Sequence, residues 1–356
     1  MTSSFHTVDR RKRSVAFGAL VWLACTHFAF ASDCVGNGRY VMGTVLEITL
    51  CAEQDILIQQ PFNSLFTTAT FLDSLFTTYD SNSPVSRLNA HVGRGSFTLP
   101  KEVIDLLVLS RHYAQLTHGT FDITVGPLLA MWRDMAQHQT LPSQRALQQA
   151  QGAVGSKYLR LSPNQKVTLS RPGMSIDFGG IGKGYALDQL VVQLKHQRIR
   201  QALLDFGQSS IWAIGTPPNL AGWRILVQQS DGHPIGVLTL RNQALSVSAS
   251  MGQSFEIKGR RYGHIIDPRT GYPLQRDLLA CVIAPTATQA EVLSKALLIL
   301  NEREGLSLLQ CFPGVEGLLV ETNGGRWMTP GWQQAVAFSL DEPTPERENP
   351  NSGARE

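Results

Sequence analysis

The sequence predicts an α+β fold, with mixed sheets and helices packed against them. Helical and β-alternating segments follow one another irregularly along the chain, unlike the strict βαβα order of a doubly wound sheet. From about residue 202 to residue 283 the chain is dominated by strand patterns, with helical patterns before and after. The 356 residues are 43% hydrophobic, enough to bury a substantial core and to exclude a chain disordered throughout.

The first strand is read over 40–52, where Leu46, Ile48 and Leu50 alternate with Glu47 and Thr49. Over 60–76, Phe62, Leu65, Phe66, Ala69, Leu72, Leu75 and Phe76 recur at helical spacing behind Pro61, a residue suited to a first turn. A second helix is expected over 101–117, ending before Gly119, and a short polar one over 144–151. The helix over 184–197 is entered through a glycine-rich loop. Strands follow at 202–206, 223–229, 237–241, 255–257 and 261–266. A helix over 288–300 precedes a hairpin joining 318–321 to 326–328 across Asn323-Gly324-Gly325.

Charge divides the chain into three parts. Arg10, Arg11, Lys12 and Arg13 precede an apolar run, 15–31, that closes with Ala29-Phe30-Ala31, so residues 1–31 read as a secretory signal peptide. Residues 32–338 form the body, and the Pro/Glu/Asn-rich 339–356 read as a disordered tail. The formal net charge of +3 is carried in full by the first 31 residues, leaving 27 basic and 27 acidic residues beyond them. With no basic run interleaved with aromatics, nucleic-acid binding is excluded as a function class. Leu23-Ala24-Cys25 offers a second processing route, lipidation at Cys25, so the expected location is periplasmic or exported, with a lipid anchor as the variant. The body keeps Cys34, Cys51, Cys281 and Cys311, which allow three pairings, with free buried thiols as the alternative.

Several segments have residues suited to chemistry. Asp177-Phe178-Gly179-Gly180-Ile181-Gly182-Lys183-Gly184 lets the backbone approach a ligand and offers N–H groups and the Lys183 charge to an anion. It is not a Walker loop, because Asp177 stands where Gly is needed and Gly184 where Ser or Thr would hold Mg²⁺, nor a dinucleotide fingerprint, because the spacing of Gly180, Gly182 and Gly184 is wrong. In Gly263-His264-Ile265-Ile266-Asp267-Pro268-Arg269, His264 is a candidate base, Asp267 on the same sheet edge is the second candidate catalytic residue, and Arg269 is available to a phosphate. Thr120-Phe121-Asp122 offers a carboxylate to a base or sugar, or a cap to the next turn. Tyr79-Asp80 and Ser86-Arg87-Leu88-Asn89 are loop residues. Glu291 and Lys295, four apart on a helix, read as an exposed intrahelical ion pair.

Taken together, Met42-Gly43-Thr44, Tyr79, Ser86 to Asn89, Gly119 to Asp122, Asp177 to Asp188, Ser248, His264 to Gly271 and the helix at Ala290 resemble the ApbE family of flavin transferases, in family order over about 40–330. The resemblance implies transfer of FMN from FAD to a threonine of an acceptor protein, such as a membrane redox subunit, with release of AMP. It implies FAD contacts at Met42, Tyr79, Thr120, Phe121, Asp122, Asp177, Lys183, Ser248 and Ile265, with His264 as base. It also implies Mg²⁺ held by the Gly180 carbonyl and by an Asp and a Thr one helical turn apart.

Those last two positions are Glu291 and Lys295 in this chain. A protonated amine has no lone pair for a metal, and Ser294 lies about 100° round the helix. Gly207-Gln208 stands where the family has a glycine pair, and Val247 where Thr is usual. A flavin-binding protein with lost or altered transferase activity is therefore the second expectation.

Overall fold

In the computed structural model, the described residues are 34–51, 59–229, 232–322 and 324–338. The expected signal peptide, Cys25 and the tail beyond residue 339 lie outside them. An eight-stranded sheet organises the body. Its spatial order follows the chain: Cys34–Val41, Thr44–Cys51, Ala202–Phe206, Ser210–Ile214, Gln243–Ala249, Leu278–Ala284, Glu316–Glu321 and Arg326–Met328. Every neighbouring pair is antiparallel.

The sheet is covered on both faces. On one, Leu46, Ile48, Leu204, Phe206, Val282 and Leu319 meet apolar stripes of helices Gln59–Phe76, Lys101–Leu116, Gly182–His196 and Ala287–Ile299. On the other, Ile211, Leu245, Cys281 and Val320 pack against Trp223, Leu238 and Leu240 of a smaller sheet. That sheet is built from Trp223–Gln228, Pro234–Leu240 and Val336–Phe338. A satellite core around Trp132, Leu147 and Tyr262 joins helices Gly126–His138 and Gln144–Gly152 to the hairpin Ser254–Ile257/Arg260–Gly263. The indole N–H of Trp132 donates to the Gly271 carbonyl at 2.8 Å.

The expected elements reappear, with differences. Ser86 to Asn89, expected in a loop, lie in the helix Pro84–Ala90, capped by Ser83, and helices Gly126–His138 and Glu302–Gln310 are not among the expected elements. The strand placed at 40–52 is two strands folded at Met42-Gly43, whose φ of 52° and 76° give a tight left-handed turn. Strands Ser210–Ile214 and Leu278–Ala284 are buried at every position, and Gln243–Ala249 at most. Being covered on both faces, they lack the polar alternation that would have marked them. Of the four body cysteines, Cys34 and Cys51 form a disulfide across directly opposed positions of the first two strands. Cys281 is a buried thiol and Cys311 an exposed one.

The sheet has two chemically different ends. The chain enters at Cys34 and returns at Cys51 and Ala202 at one end. At the other lie the turns at Met42-Gly43 and Gly207-Gln208, with the termini of the strands at Ala249 and Leu278. The expected chemistry gathers at this second end.

Candidate functional site

The glycine loop is held by three segments that are far apart in sequence. The side chain of Asn89 accepts from the N–H of Ile176 at 2.8 Å and donates to its carbonyl at 2.9 Å. The N–H of Asp177 donates to the Ile123 carbonyl at 2.8 Å, and its carboxylate accepts the Gly179 N–H at 2.7 Å. Phe121 lies against Gly180, where an added Cβ would come within 3.4 Å of the ring. Phe76 packs edge-on against Phe178 and Tyr185. Thus the motifs at 86–89, 119–122 and 177–184 form one wall.

Helix Gly182–His196 leaves this loop and crosses helix Ala287–Ile299 at very close range. A Cβ on Gly184 would stand 2.5 Å from the Ala287 carbonyl oxygen, so only glycine fits. Asp188 fixes the second helix by accepting the N–H groups of Ala287 (2.8 Å) and Thr288 (2.9 Å) and the Thr288 hydroxyl (2.5 Å). The indole of Trp212 also donates to Asp188, at 3.0 Å. Burial nonetheless holds the Asp188 carboxyl above its usual range.

At this crossing Glu291 is fully buried, which overturns the expectation of an exposed ion pair with Lys295. One carboxylate oxygen accepts the Gly184 N–H at 2.5 Å, and the other faces the Lys295 ammonium at 3.3 Å. The Lys295 side chain is one-fifth exposed. Lys183, one residue before Gly184, donates to the hydroxyl of Ser209 in the neighbouring turn. The hydroxyl of Ser294 faces the sheet and bonds with Ser246 (3.0 Å) and Ser248 (2.8 Å).

His264 lies within electrostatic range of both lysines. Its Nδ1 is 2.8 Å from the Gln253 carbonyl, which can only accept. Nδ1 therefore carries the proton and Nε2 a lone pair. The surrounding cleft, then the charges of Lys295 and Lys183, push the imidazole below its ordinary value. For Lys295, burial and Lys183 pull the ammonium down while Glu291 opposes. The two ammonium charges disfavour imidazolium at His264, and Lys183 disfavours the charge on Lys295, a pattern relieved by an anion. Asp205, half-buried opposite Glu47, is pushed up to about 6 by burial, with Glu47 adding and the Gln208 N–H and Lys183 opposing.

The other expected residues fall into two groups. Met42 occupies the turn at this end, its N–H donating to Asp73 at 3.0 Å. Tyr79 is 87% exposed, three residues beyond Phe76. Ile265 and Ser248 are buried beside the site. Thr120 is buried as well and donates to the Thr117 carbonyl at 2.9 Å. Asp122 resolves as a cap: it accepts from Thr124 N–H and hydroxyl (2.9 and 2.7 Å) and from Ser156 N–H (2.8 Å).

Asp267, expected as a catalytic residue beside His264, has its carboxylate bound bidentately by Arg269, through Nε and Nη2 at 3.0 and 2.9 Å. Arg269 is in turn occupied by Asp267 rather than free for a phosphate. The orienting group for His264 is the Gln253 carbonyl, a backbone atom that no side-chain pattern in the sequence could mark. Ser209 and Asp205 have no motif to mark them, whereas Asp188 closes the family-like segment 177–188 as an acid inside an apolar helix.

The Glu291–Lys295 pair does not fit a divalent cation. Both carboxylate oxygens are engaged by internal donors. A dication at normal ligand distance on the outer oxygen would stand roughly 3–4 Å from the ammonium, repelled by about 8–11 kcal/mol at an effective dielectric of 20. Among the described residues, no three His, Cys, Asp or Glu side chains cluster as a metal site.

Relatives share this arrangement of elements. The chain is 28% identical over 287 residues to a FAD:protein FMN transferase of Escherichia coli strain K12, covering 76% of this chain and 79% of that protein. It is 25% identical over 330 residues to one of Treponema pallidum, covering 85% and 90%. The crystal structure of the ApbE protein of Thermotoga maritima superposes with a TM-score of 0.77 at 26% identity, over 85% of this chain and 99% of that one. The flavinyl transferase ApbE of Pseudomonas stutzeri gives 0.76 at 25% identity, over 86% and 98%. The sequence model of the ApbE family matches residues 42–319, most of the described body, and the chain belongs to the ApbE family.

Proposed function

We propose that the protein is a FAD:protein FMN transferase. The supporting observation is the family match over 42–319, within which the glycine loop presents Lys183 and the Gln253 carbonyl holds Nδ1 of His264 so that Nε2 can take a proton. In this reading FAD lies along the wall formed by 119–122 and 177–184, with Tyr79 and Met42 at its rim. A threonine hydroxyl of the acceptor attacks the FMN-side phosphorus. The new O–P bond forms as the bond to AMP breaks, the hydroxyl proton passes to His264 Nε2, and AMP leaves with its phosphate. Lys183 faces the charge that grows on the phosphate oxygens. Magnesium, expected from the family resemblance at Gly180, Glu291 and Lys295, is not part of this proposal, because the carboxylate that would hold it is already paired.

We propose further that the protein is exported and acts on a membrane redox subunit. The basic block and apolar run of 1–31 support export, as does the Cys34–Cys51 disulfide, a bond that persists in oxidising compartments. Mass analysis of the purified protein would find an N-terminus at Ser32, or a lipid on Cys25. An intact Met1 in the cytosolic fraction would refute export.

The test of function is incubation of the mature protein with FAD and a threonine-containing acceptor peptide. Covalent flavin fluorescence on the peptide with equimolar AMP supports transfer. The Glu291–Lys295 pair favours a second reading, flavin binding without transfer, and tightly bound FAD with no AMP release would establish it.

A further inference from the structure

The Glu291–Lys295 pair is placed where a fixed cation would serve a diphosphate. The carboxylate lies behind, fully buried and tied to the Gly184 N–H, the residue next to Lys183. The ammonium lies in front, partly open, one helical turn further along the same helix. Lys183 approaches from the crossing helix, held by Ser209. Both carboxylate oxygens of Glu291 are used, one by the Gly184 N–H and one by the Lys295 ammonium, so the Lys183 ammonium has only the neutral Ser209 hydroxyl as its described hydrogen-bond partner. A cluster of cations with one buried counter-ion is incomplete until an anion joins it.

We infer that Lys295, carried on buried Glu291 and set beside Lys183, supplies the positive charge for the FAD diphosphate, so that this chain binds FAD without a divalent cation. The inference rests on the proposed FAD site but not on catalysis. Glu291 acts as a mount: its length reaches both the Gly184 N–H and the amine, and its second oxygen orients the amine. Lys295 and Lys183 together then match the two negative charges of a diphosphate.

Equilibrium FAD binding to the mature protein, followed by flavin fluorescence quenching, tests this together with Mn²⁺ binding followed by electron paramagnetic resonance. Affinity within twofold in excess EDTA and in millimolar Mg²⁺ is expected, with no stoichiometric Mn²⁺ bound in the presence of FAD. A tenfold or greater loss of affinity in EDTA, or one tightly bound Mn²⁺ per chain, overturns the inference. Failure to bind FAD under either condition overturns it together with the functional reading, whereas FAD binding that requires Mg²⁺ overturns the inference alone. As a second arm, Lys295→Met combined with Glu291→Gln avoids stranding a buried charge. This variant is expected to bind FAD at least tenfold more weakly while retaining its circular dichroism spectrum. Unchanged affinity would remove Lys295 from the site.

Discussion

The carbonyl oxygen of Gln253 lies 2.8 Å from Nδ1 of His264 and also accepts that residue's backbone N–H at 3.0 Å. One oxygen thus fixes both the backbone and the tautomer of the proposed base. Because the cleft and the two lysines disfavour imidazolium, the acid limb of the transfer rate should fall below pH 6.5, with a flat plateau from pH 7 to 8. His264→Ala should lower the rate by about 10²–10⁴ and leave FAD affinity nearly unchanged. A limb centred above pH 7, or an alanine variant with full activity, would remove His264 from this role.

Asn89 makes both hydrogen bonds available from the backbone of Ile176. Asn89→Ala should cost about 1–3 kcal/mol in thermal or urea unfolding and weaken FAD binding by loosening the loop that follows. Asn89→Asp retains the acceptor and loses the donor, so its cost should be intermediate. Equal stability of all three proteins would contradict the assigned clamp.

Gly184 sits where two helices cross with no room for a methyl group. The atoms an alanine would meet are backbone, which cannot rotate aside. Gly184→Ala should therefore destabilise by about 3 kcal/mol or more, seen as a lowered Tm or loss of soluble protein. Gly93→Ala, at a surface turn with open space around it, is expected to cost only about 1 kcal/mol through its positive φ.

Asp205 should make stability depend on pH. Its carboxyl is raised from 3.8 to about 6, so the folded protein binds the proton more tightly than the unfolded chain. Stability is therefore lost as pH rises from about 4 to 6, and the penalty is complete above that. Asp205→Asn keeps an acceptor for the Gln208 N–H and removes the charge. It should gain on the order of 1–2 kcal/mol at pH 8 and nothing near pH 4. A gain that does not vary with pH would point to packing instead.

The disulfide between Cys34 and Cys51 closes a short loop, at a sequence separation of 17. The Cys34→Ser, Cys51→Ser double variant should lose about 3 kcal/mol of stability, measured by chemical unfolding. Reductant should lower the Tm of the parent and not that of the variant. Identical behaviour of the two proteins in reductant and oxidant would show that the bond is absent in solution.

Much of this architecture is legible in the sequence wherever one face of an element meets water. The helix over 59–76 and the strand at 44–51 announce themselves by period, because their polar residues mark the outer face. Ser210–Ile214 and Leu278–Ala284 do not, since both of their faces are covered. The site shows the same divide. Lys183 and His264 stand in motifs whose residue types suit anions and protons. The role of Gln253 depends on a backbone carbonyl, and that of Ser209 on a neighbouring turn. Asp267 and Asp122 carried the right chemistry but are satisfied locally, by Arg269 and by Ser156 and Thr124. Sequence shows which groups are able to react; only folding shows which have already been neutralised.

The first strand sets a distance as well as an edge. It runs eight residues from Cys34, at the end where the chain enters, to Val41, beside the cleft. At about 3.3 Å per residue, that is a standoff of roughly 26 Å. A tether leaving the body at Cys34 would hold the reactive end one strand-length away from its attachment, with the disulfide bracing the near end. Acceptor threonines flush with a bilayer would then lie out of reach, and those on projecting loops or tails at about that height would be presented to the cleft.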